Sequence, residues 1–437
     1  KHNRHLLTFV SGCVLPADHT KFLDRFDLVF GIAQLPQLPD MITQYGIATP
    51  ASLSARSTGE GQSQLAADET LALTAAGTHD PTGSPSPAGL EEFWHIDPRH
   101  KSAFEAFVPI QNGCDKFCSY CAVPYTRGRE VSRPSAEILT EVRDLVERGY
   151  RSITLLGQNV NSYGLDRQSR QDGGELDFTR LLEAIGEYGD RVFRESGRRF
   201  WVYFTSPHPR DMKTAVLETI ARHACLGKQI HLPLQSGDDG VLARMNRQHD
   251  LARYRSIVAD IRRLLPEATL FTDIITGFSG ETEAEHAATR SALAEFGYNM
   301  AYIATYSPRP GAASAEWPDD IPLDTKKARL HELTEVFKTS SLQWNRNLVG
   351  RPLDALVEGP DRSGNWLQAR TEGRIPVRFA RPDGLDDDAL IGRFVRLEIT
   401  QARALSLEGR FIELETAPVV GGPVGTAHGQ PTANGSF

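Results

Sequence analysis

The chain has 437 residues, of which 40% are hydrophobic and 24% charged, and its formal net charge is −8. This composition is that of a globular protein with about two to four domains, and the negative charge argues against a globally basic nucleic-acid binder. No apolar run approaches the roughly 20 residues that cross a bilayer, and no secretory signal is recognisable, which excludes a membrane protein. Five cysteines are too few, and odd in number, for a disulfide framework, so we predict a reducing cytoplasm.

Residues 1–46 are predicted to form a partial α/β domain. Short apolar runs at 6–13 and 26–32, bounded by Gly, Pro and Asp, are typical of strands. Residues 47–89 are rich in Ala, Ser, Thr, Gly and Pro and contain no aromatic residue. Such a stretch cannot bury enough surface to offset its chain entropy, so we predict a disordered linker or insertion at 47–95.

Strands and helices alternate regularly between residues 96 and 340. Strands separated by helices of this length indicate βα units and a parallel sheet, and six of them in a row predict a partial (βα)6 barrel. Functional side chains then belong on the loops that follow the strands. The predicted strands are 106–111, 152–157, 200–205, 229–234, 269–276 and 300–306, and the predicted helices are 135–148, 177–187, 211–222, 250–264, 281–296 and 324–348.

The last part of the chain changes character again. Short strands separated by Gly, Pro and Asp predict a small β-barrel at 341–416, followed by a disordered tail at 417–437. Residues 341–415 hold 11 Arg, no Lys and 12 acidic residues, so charge gives no independent support for RNA binding there. The predicted barrel strands are 353–359, 365–371, 375–380, 394–402 and 410–415.

Three of the five cysteines, Cys114, Cys118 and Cys121, lie in one short loop after the first predicted barrel strand. A [4Fe–4S] cube normally takes four Cys ligands, so three leave one iron open to a reactive ligand. The alternative is a zinc site completed by Cys225 or by a histidine. Zinc motifs more often come as CxxC pairs, so the spacing favours iron and sulfur.

A CxxxCxxC loop in this position resembles the radical S-adenosylmethionine superfamily. Further segments narrow the resemblance to the MiaB-type tRNA methylthiotransferases, over roughly residues 104–415. Two of these segments, around PYTRGRE and LLGQNVNSYG, are more similar to the tRNA-adenosine branch than to the ribosomal-protein branch. The matching segments are GCDKFCSYCAVPYTRGREVSRP (113–134), LLGQNVNSYG (155–164), FTSPHP (204–209), HLPLQSGDDGVLARMNR (231–247), TDIITGFSGET (272–282) and YSPRPGA (306–312).

The resemblance implies a radical cluster at the three cysteines whose open iron chelates the amino and carboxylate groups of S-adenosylmethionine. It implies cleavage of that cofactor to a 5′-deoxyadenosyl radical, and transfer of sulfur and then a methyl group to carbon 2 of an N6-isopentenylated adenosine beside the tRNA anticodon. A second S-adenosylmethionine is the methyl donor. The resemblance further implies a TRAM-type C-terminal barrel that binds tRNA and a reductant such as flavodoxin or ferredoxin. We expect a monomer that acts without a membrane.

The resemblance also implies cofactor-binding residues on the loops after three strands. Gly157, Gln158 and Asn159 occupy the place where radical enzymes hold the amino group of S-adenosylmethionine, although a plain βα turn is the alternative. Asp273 and Gly277 follow the fifth barrel strand and would line the adenosine side. The alternative for this segment is capping of the next helix. No catalytic residue is assigned.

The fourth barrel strand contains Pro233, which would be awkward in the centre of a sheet. A bulge that turns Gln235 into the barrel is one explanation, and we expect Gln235 to contact the cofactor. His231 is either a core histidine or a pocket residue.

Arg127, Arg129 and Arg133 form a cationic stretch after the cysteine loop. Arginines near phosphates fix the register of RNA, so we expect these three to contact tRNA; the alternative is a solvated surface. Three aromatic residues of the same stretch either shield the cluster or stack on a base: Phe117, Tyr120 and Tyr125.

Cys13 ends a VSGC segment that resembles the site of the last of three ligands to an auxiliary [4Fe–4S] cluster. The other two cysteines would lie upstream, where the sequence has none, and the chain begins at Lys1 without an initiator methionine. We therefore expect an N-terminally truncated chain that holds one cluster, with a second only if the missing part exists; loss of the auxiliary cluster is the alternative.

Two other functions remain open at the level of sequence. One is a methylthiotransferase that acts on threonylcarbamoylated adenosine or on a ribosomal protein. The other is a non-catalytic iron–sulfur RNA-binding protein that lacks the sulfur-donor cluster.

Overall fold

The computed structural model describes residues 7–12, 14, 18–44, 90, 93–96, 98, 100–166, 176–361 and 363–415. Cys13, residues 47–89 of the predicted linker and the predicted tail at 417–437 lie outside the described residues. Leu90 and Trp94, which the prediction assigned to the linker, are buried. At least this end of the predicted linker is therefore packed.

A small parallel unit comes first among the described residues. Strand β1 (Phe9–Ser11) pairs in parallel with β2 (Leu28–Phe30), and all three residues of β2 are buried. Helix α1 (His19–Leu23) connects the two strands, and α2 (Leu38–Gln44) follows them. The α/β character predicted for this segment is confirmed.

Six parallel strands form the centre of the molecule as two three-stranded sheets. A short antiparallel pair lies beside the first sheet and frames the cysteine loop between its two strands, β4 (Gln111–Asn112) and β5 (Val131–Ser132). The six strands are β3 (Glu105–Pro109), β6 (Ser152–Leu156), β7 (Trp201–Phe204), β8 (Gln229–His231), β9 (Thr269–Thr276) and β10 (Met300–Thr305). Their order is β3–β6–β7 and β8–β9–β10, and one parallel bridge between Val202 and Leu226 continues the first sheet toward the second. This is the partial barrel that the alternation predicted.

Helices cover the outer side of the two sheets. The predicted helices are confirmed within a few residues, except that α5 runs well past its predicted end at 187; α3 and α7 were not predicted. Among the described residues, no helix is long and apolar enough to cross a membrane. The helices are α3 (Val123–Arg127), α4 (Ser135–Glu147), α5 (Phe178–Ser196), α6 (Thr214–Arg222), α7 (Asp239–Arg244), α8 (Leu251–Leu264), α9 (Glu283–Phe296) and α10 (Leu323–Arg346).

Alternate residues of each strand face opposite sides of the sheet. Ala106 and Val108 of β3 are buried in the core that the strands share with the helices. Phe107, Thr154 and Tyr203 are partners in the strand register and therefore share the other, inner face. The inner face is the side on which a ligand of the barrel would lie.

Helix α5 packs closely against the segment after α6. A Cβ on Gly189 would lie 2.3 Å from the Cys225 Sγ, and that sulfur is buried near the carbonyls of Ile185 and Gly186. Burial raises the pKa of the Cys225 thiol to about 12. Cys225 is thus a core residue of this contact.

We expect Gly189→Ala to lower the free energy of unfolding by about 1–3 kcal/mol, because the added methyl overfills the contact with Cys225. Chemical denaturation of the purified chain measures this change. Adding Cys225→Ala should recover part of the loss, because the sulfur is the nearest atom. An unchanged denaturation midpoint in Gly189→Ala would show that α5 and the segment around Cys225 can move apart without loss of stability.

The C-terminal part is a closed five-stranded barrel, as predicted, with strand order β11–β12–β13–β15–β14. Its interior is apolar and forms a core of its own. Helix α11 (Asp387–Leu390) precedes its fourth strand. The strands are β11 (Pro352–Pro360), β12 (Leu367–Thr371), β13 (Pro376–Phe379), β14 (Phe394–Ala402) and β15 (Leu407–Leu414).

Candidate functional site

The cysteine loop begins at a glycine that no other residue could replace without rearrangement. Gly113 has a φ of +82°, and a Cβ there would lie 2.0 Å from the Arg129 carbonyl oxygen. The Gly113 N–H donates to Gln158 Oε1 at 2.7 Å, and the Cys114 N–H donates to the Gly128 carbonyl at 3.1 Å. The start of the loop is therefore fixed on both sides.

The other end of the loop is held by the segment after α7. Ser119 donates twice, from its N–H to the Met245 carbonyl at 3.0 Å and from its hydroxyl to the Arg244 carbonyl at 2.9 Å. Asn246 Nδ2 donates to the carbonyl of Phe117 at 2.9 Å. Phe117 has a φ of +49°, so these contacts hold a backbone turn that an unsupported loop would rarely adopt.

The three thiols of the loop lie in one electrostatic environment. The pKa of Cys114 is raised to about 12, mainly by burial and also by the neighbouring groups Glu130, Cys118 and Cys121. Burial also raises the pKa of Cys121. Thiols in such surroundings become stable thiolates when a metal cation binds them, so this donor set fits an iron–sulfur group.

Among the residues with described positions, no three Cys, His, Asp or Glu side chains form a group that could hold a metal ion. Cysteines around a cube each bind a different iron and need not converge on one point. The spacing of the cysteines and their shared electrostatic environment are therefore the two features that favour a [4Fe–4S] cube over a zinc site in this loop.

Arg247 is a buried charged side chain that contacts one of the cysteines of this loop. It is 4% exposed, and its Nη1 donates to the Cys118 Sγ and to the Tyr120 hydroxyl, each at 3.4 Å. Nη2 donates to the Pro233 carbonyl at 2.9 Å, which fixes the guanidinium. No role was predicted for this arginine, although it ends the segment 231–247 that carries the resemblance.

The loop after β6 supports the cysteine loop with its amides. Asn159 is 1% exposed, and its Nδ2 donates to Ser162 Oγ at 2.8 Å and to Glu130 Oε1 and Asp211 Oδ2 at 3.2 Å each. Its Oδ1 is buried and has no partner. A Cβ on Gly157 would come within 3.2 Å of the Gln111 side chain. Gln158 Oε1 is taken by the Gly113 N–H, so Asn159 Oδ1 is a candidate in this turn for contact with a ligand.

A buried ion pair lies below the same loop. Lys116 Nζ is 2.6 Å from Asp211 Oδ2, and both side chains are largely buried. Asp211 also accepts from Asn159. Sequence reasoning missed Lys116 and Asp211, since charged residues in loops carry no periodic signal.

Gln235 lies at the predicted irregularity of the fourth strand. Strand β8 ends at His231, and the chain returns to β9 at Gln235, which has a φ of +74° and forms an isolated bridge with Ile274. The Gln235 N–H donates to the Asp273 carbonyl at 2.8 Å. Asp273 Oδ2 lies 3.0 Å from His231 Nε2, off the line of a hydrogen bond. Gln235 and Asp273 are therefore neighbours, beside His231 on the inner face.

Gly277 belongs to a structural turn. A Cβ there would lie 2.4 Å from Lys326 of α10, and the Gly277 N–H donates to Glu281 Oε2 at 2.6 Å. Burial raises the pKa of Glu281, which pairs with Arg329 at 2.8 Å. The need for glycine at 277 is thus explained by helix packing. Two buried oxygens of this described segment have no hydrogen-bond partner, the Thr276 hydroxyl and Glu281 Oε1.

The three predicted RNA contacts occupy different environments. Arg133 is 7% exposed and pairs with Glu137 at 3.1 Å and with Glu141, so it stabilises the interior. Arg129 is exposed and pairs with Asp115 at 3.1 Å. The carbonyl of Arg127 accepts from Asn112 at 3.0 Å. Arg133 is therefore not proposed as an RNA contact.

The aromatic residues of the loop also divide. Tyr120 packs against a buried cluster that includes Phe278 and Tyr306, and it closes that side of the loop to water. Phe117 and Tyr125 are exposed, in edge contact at 6.2 Å, and Arg129 lies over the Phe117 ring at 5.4 Å. Shielding therefore accounts for Tyr120, and a surface contact is open to the other two.

Two comparisons of the amino-acid sequence with known proteins agree with each other. The model of the family described as the radical SAM superfamily matches residues 108–293. The chain is 35% identical over 418 residues to a tRNA-2-methylthio-N(6)-dimethylallyladenosine synthase of Thiobacillus denitrificans, covering 95% of this chain and 83% of that protein. It is 35% identical over 419 residues to the protein of the same name from Chromobacterium violaceum, covering 95% and 84%.

Among solved structures, coproporphyrinogen III oxidase from Escherichia coli, described as a radical SAM enzyme, gives a TM-score of 0.37 at 16% identity, over 69% of this chain and 68% of that one. A similarity of this size supports no argument on its own.

Proposed function

The chain belongs to the family of tRNA-2-methylthio-N(6)-dimethylallyladenosine synthases, and on that premise we propose how its residues divide the work of the reaction. It is a radical S-adenosylmethionine enzyme that methylthiolates N6-dimethylallyladenosine in tRNA. The observation that carries this conclusion is the 35% identity over 95% of the chain, with the cysteine loop inside the matched region.

Cys114, Cys118 and Cys121 are the proposed ligands of the radical [4Fe–4S] cluster. When bound, this cluster supplies the electron that cleaves S-adenosylmethionine. The chain holds the loop from both ends through Gly113 and Ser119, and Tyr120 excludes water from one side. A one-electron reductant such as flavodoxin or ferredoxin is the proposed partner of this step.

For the cofactor itself we propose the groups that the structure leaves open near the loop. Asn159 offers a buried oxygen without a partner, and Gly157 brings its backbone close. Gln235 lies on the inner face after the fourth strand, beside Asp273 within the fifth strand. Gln158 acts indirectly by holding Gly113.

The tRNA contacts are proposed at Arg127 and Arg129 and on the C-terminal barrel. Arg129 is exposed beside the cysteine loop and lies over an exposed aromatic ring, an arrangement that suits a phosphate next to a base. We also propose that the enzyme acts as a monomer in the cytoplasm. A second cluster that involves Cys13 stays a prediction.

Nucleoside analysis of tRNA tests the function. We expect that a deletion strain complemented with this chain produces 2-methylthio-N6-dimethylallyladenosine, measured by mass spectrometry of digested tRNA. Empty vector is the control. Accumulation of methylthiolated threonylcarbamoyladenosine or of a modified ribosomal protein would reassign the substrate, and tRNA binding without any sulfur insertion would indicate a non-catalytic RNA-binding protein.

A further inference from the structure

The turn between β12 and β13 of the C-terminal barrel reaches the inner side of the α/β barrel. The Glu372 carbonyl accepts from the Tyr203 hydroxyl at 2.9 Å, and the Gly373 carbonyl accepts from the Thr269 hydroxyl at 2.7 Å. Tyr203 belongs to the first three-stranded sheet and Thr269 to the second. The turn thus bridges the two sheets, contacting β7 at Tyr203 and β9 at its first residue, Thr269.

Arg374 extends this turn onto the inner face of the first sheet. Its Nη2 donates to the Thr154 hydroxyl at 2.7 Å, and its guanidinium lies over the Tyr203 ring at 4.1 Å. The same nitrogen lies 3.5 Å from Glu105 Oε1 and from Ser152 Oγ. One side chain of the C-terminal barrel therefore contacts all three strands of the sheet, β3, β6 and β7.

The backbone conformation of this turn is an unfavourable one that its contacts with the α/β barrel stabilise. Arg374 has a φ of +58°, a backbone conformation that residues other than glycine rarely adopt. A Cβ on Gly373 would lie 2.6 Å from the Thr269 Cγ2, so a larger residue could not seat there. Around the turn, Trp201 packs on Phe394 with ring centroids 4.5 Å apart. Local strain of this kind persists only when the surrounding contacts hold it.

Strand β6 connects this contact to the cofactor side of the barrel. Thr154 lies three residues before Gly157, a distance of roughly 10 Å along an extended strand. The turn at 157–159 in turn holds the cysteine loop, through Gln158 and Gly113. A shift of β6 along its axis would therefore move the proposed cofactor groups.

We propose that Arg374 is a positioning residue through which the C-terminal barrel fixes strand β6 and, with it, the cofactor-side turn Gly157–Asn159. This inference rests on the proposed function only in that methylthiolated tRNA is taken as the product of the reaction. The C-terminal barrel is then a structural part of the radical site, and its role extends beyond holding RNA.

Arg374→Ala in the full chain, reconstituted with iron and sulfide and reduced with dithionite, tests the proposal. We expect the KM for S-adenosylmethionine in 5′-deoxyadenosine formation to rise roughly fivefold, as loss of one ordinary hydrogen bond would give. The amount of 5′-deoxyadenosine released per methylthiolated tRNA should also rise, whereas the Kd for tRNA should stay within about twofold. Arg374→Lys, which keeps a charged donor, should restore part of the loss.

Two further variants separate positioning from folding. Thr154→Val removes the acceptor without touching the C-terminal barrel, and we expect the same rise in KM. Arg378→Ala is the matched control, since Arg378 pairs with Glu408 within the C-terminal barrel, and it should leave KM unchanged.

Two results would overturn the proposal. One is an unchanged KM and coupling ratio in both Arg374→Ala and Thr154→Val, with or without a lower melting temperature. The other is weaker tRNA binding at unchanged KM, which would make Arg374 an RNA contact. If the wild-type chain cleaves S-adenosylmethionine without modifying tRNA, the proposed function fails, but the comparison of KM values still decides the role of Arg374.

Discussion

Replacing Cys118 by alanine should reduce 5′-deoxyadenosine formation to the level of the chain without iron. Loss of a residue that merely orients a ligand costs about 10- to 100-fold in metal affinity, so loss of one of three direct ligands should cost more. Cys118 is buried and receives a hydrogen bond from Arg247, so nearby water cannot easily take its place. Anaerobic reconstitution, iron and sulfide counting and product quantification by chromatography measure the effect.

The matched control is Cys225→Ala. Cys225 is also buried, but it lies against α5, near Gly189. We expect this variant to keep its iron content and its rate of cofactor cleavage. Cleavage at the wild-type rate in Cys118→Ala would disprove the assignment of the loop, and loss of iron in Cys225→Ala would revive the zinc-type arrangement with a fourth cysteine.

Replacing Arg247 by methionine should leave the iron content near wild type and still slow cofactor cleavage by roughly 10- to 100-fold. A unit charge about 5 Å away contributes roughly 3 kcal/mol at an effective dielectric constant of 20, and reduction adds negative charge beside this guanidinium. Loss of that charge should make the reduction potential more negative, which a redox titration followed by electron paramagnetic resonance measures. A smaller driving force for electron transfer then lowers the rate.

Two variants control for packing. Arg247→Lys retains the charge and should shift the potential less than methionine does. Arg244→Met changes a nearby arginine that pairs with Glu285 at 2.8 Å, and it should leave the potential unchanged. If Arg247→Met has a wild-type potential and a wild-type rate, the contact with Cys118 serves only to position the loop.

The strands with continuous apolar runs could be predicted well from the sequence. The run at 269–276 has the bounds of β9, and the run at 394–402 has those of β14. Strand β8 is shorter than its apolar run, because the chain leaves the sheet before Pro233 and returns at Gln235 with a positive φ. Pro233 was the available signal for that departure.

Helix α5 shows the opposite error. Its predicted end at 187 lies nine residues before its last residue, Ser196, and the helix contains two glycines, Gly186 and Gly189, which are poor helix formers. Gly189 is tolerated there because Cys225 occupies the space beside it. Helix α5 ends at Ser196 because Gly197 adopts the left-handed conformation of a C-cap, and its N–H donates to the Phe193 carbonyl at 2.7 Å. Gly197 was therefore the available local signal for the end of this helix.

In the candidate site, the residues that sequence reasoning found are those with a fixed spacing. Cys114, Cys118 and Cys121 are close in the chain, so their spacing alone indicates a shared ligand. Arg247 reaches Cys118 across 129 residues of sequence, and such a contact has no local signature. Arg133 could not be distinguished from a surface arginine, since the carboxylates that bury it lie on the helix that follows.

The contacts that hold the cysteine loop can form only late in the synthesis of the chain. The contact from Ser119 to Arg244 spans 125 residues, and that from Asn246 to Phe117 spans 129. At about 5–20 residues per second, a ribosome needs roughly 6–25 s to extend the chain from the cysteines to the residues that hold them. During that interval the thiols are in a nascent chain without their final enclosure, where they are open to oxidation. Delivery of iron and sulfide is therefore best timed after the fourth strand and its following helix have been made, and an early supply would meet a loop that does not yet have its shape.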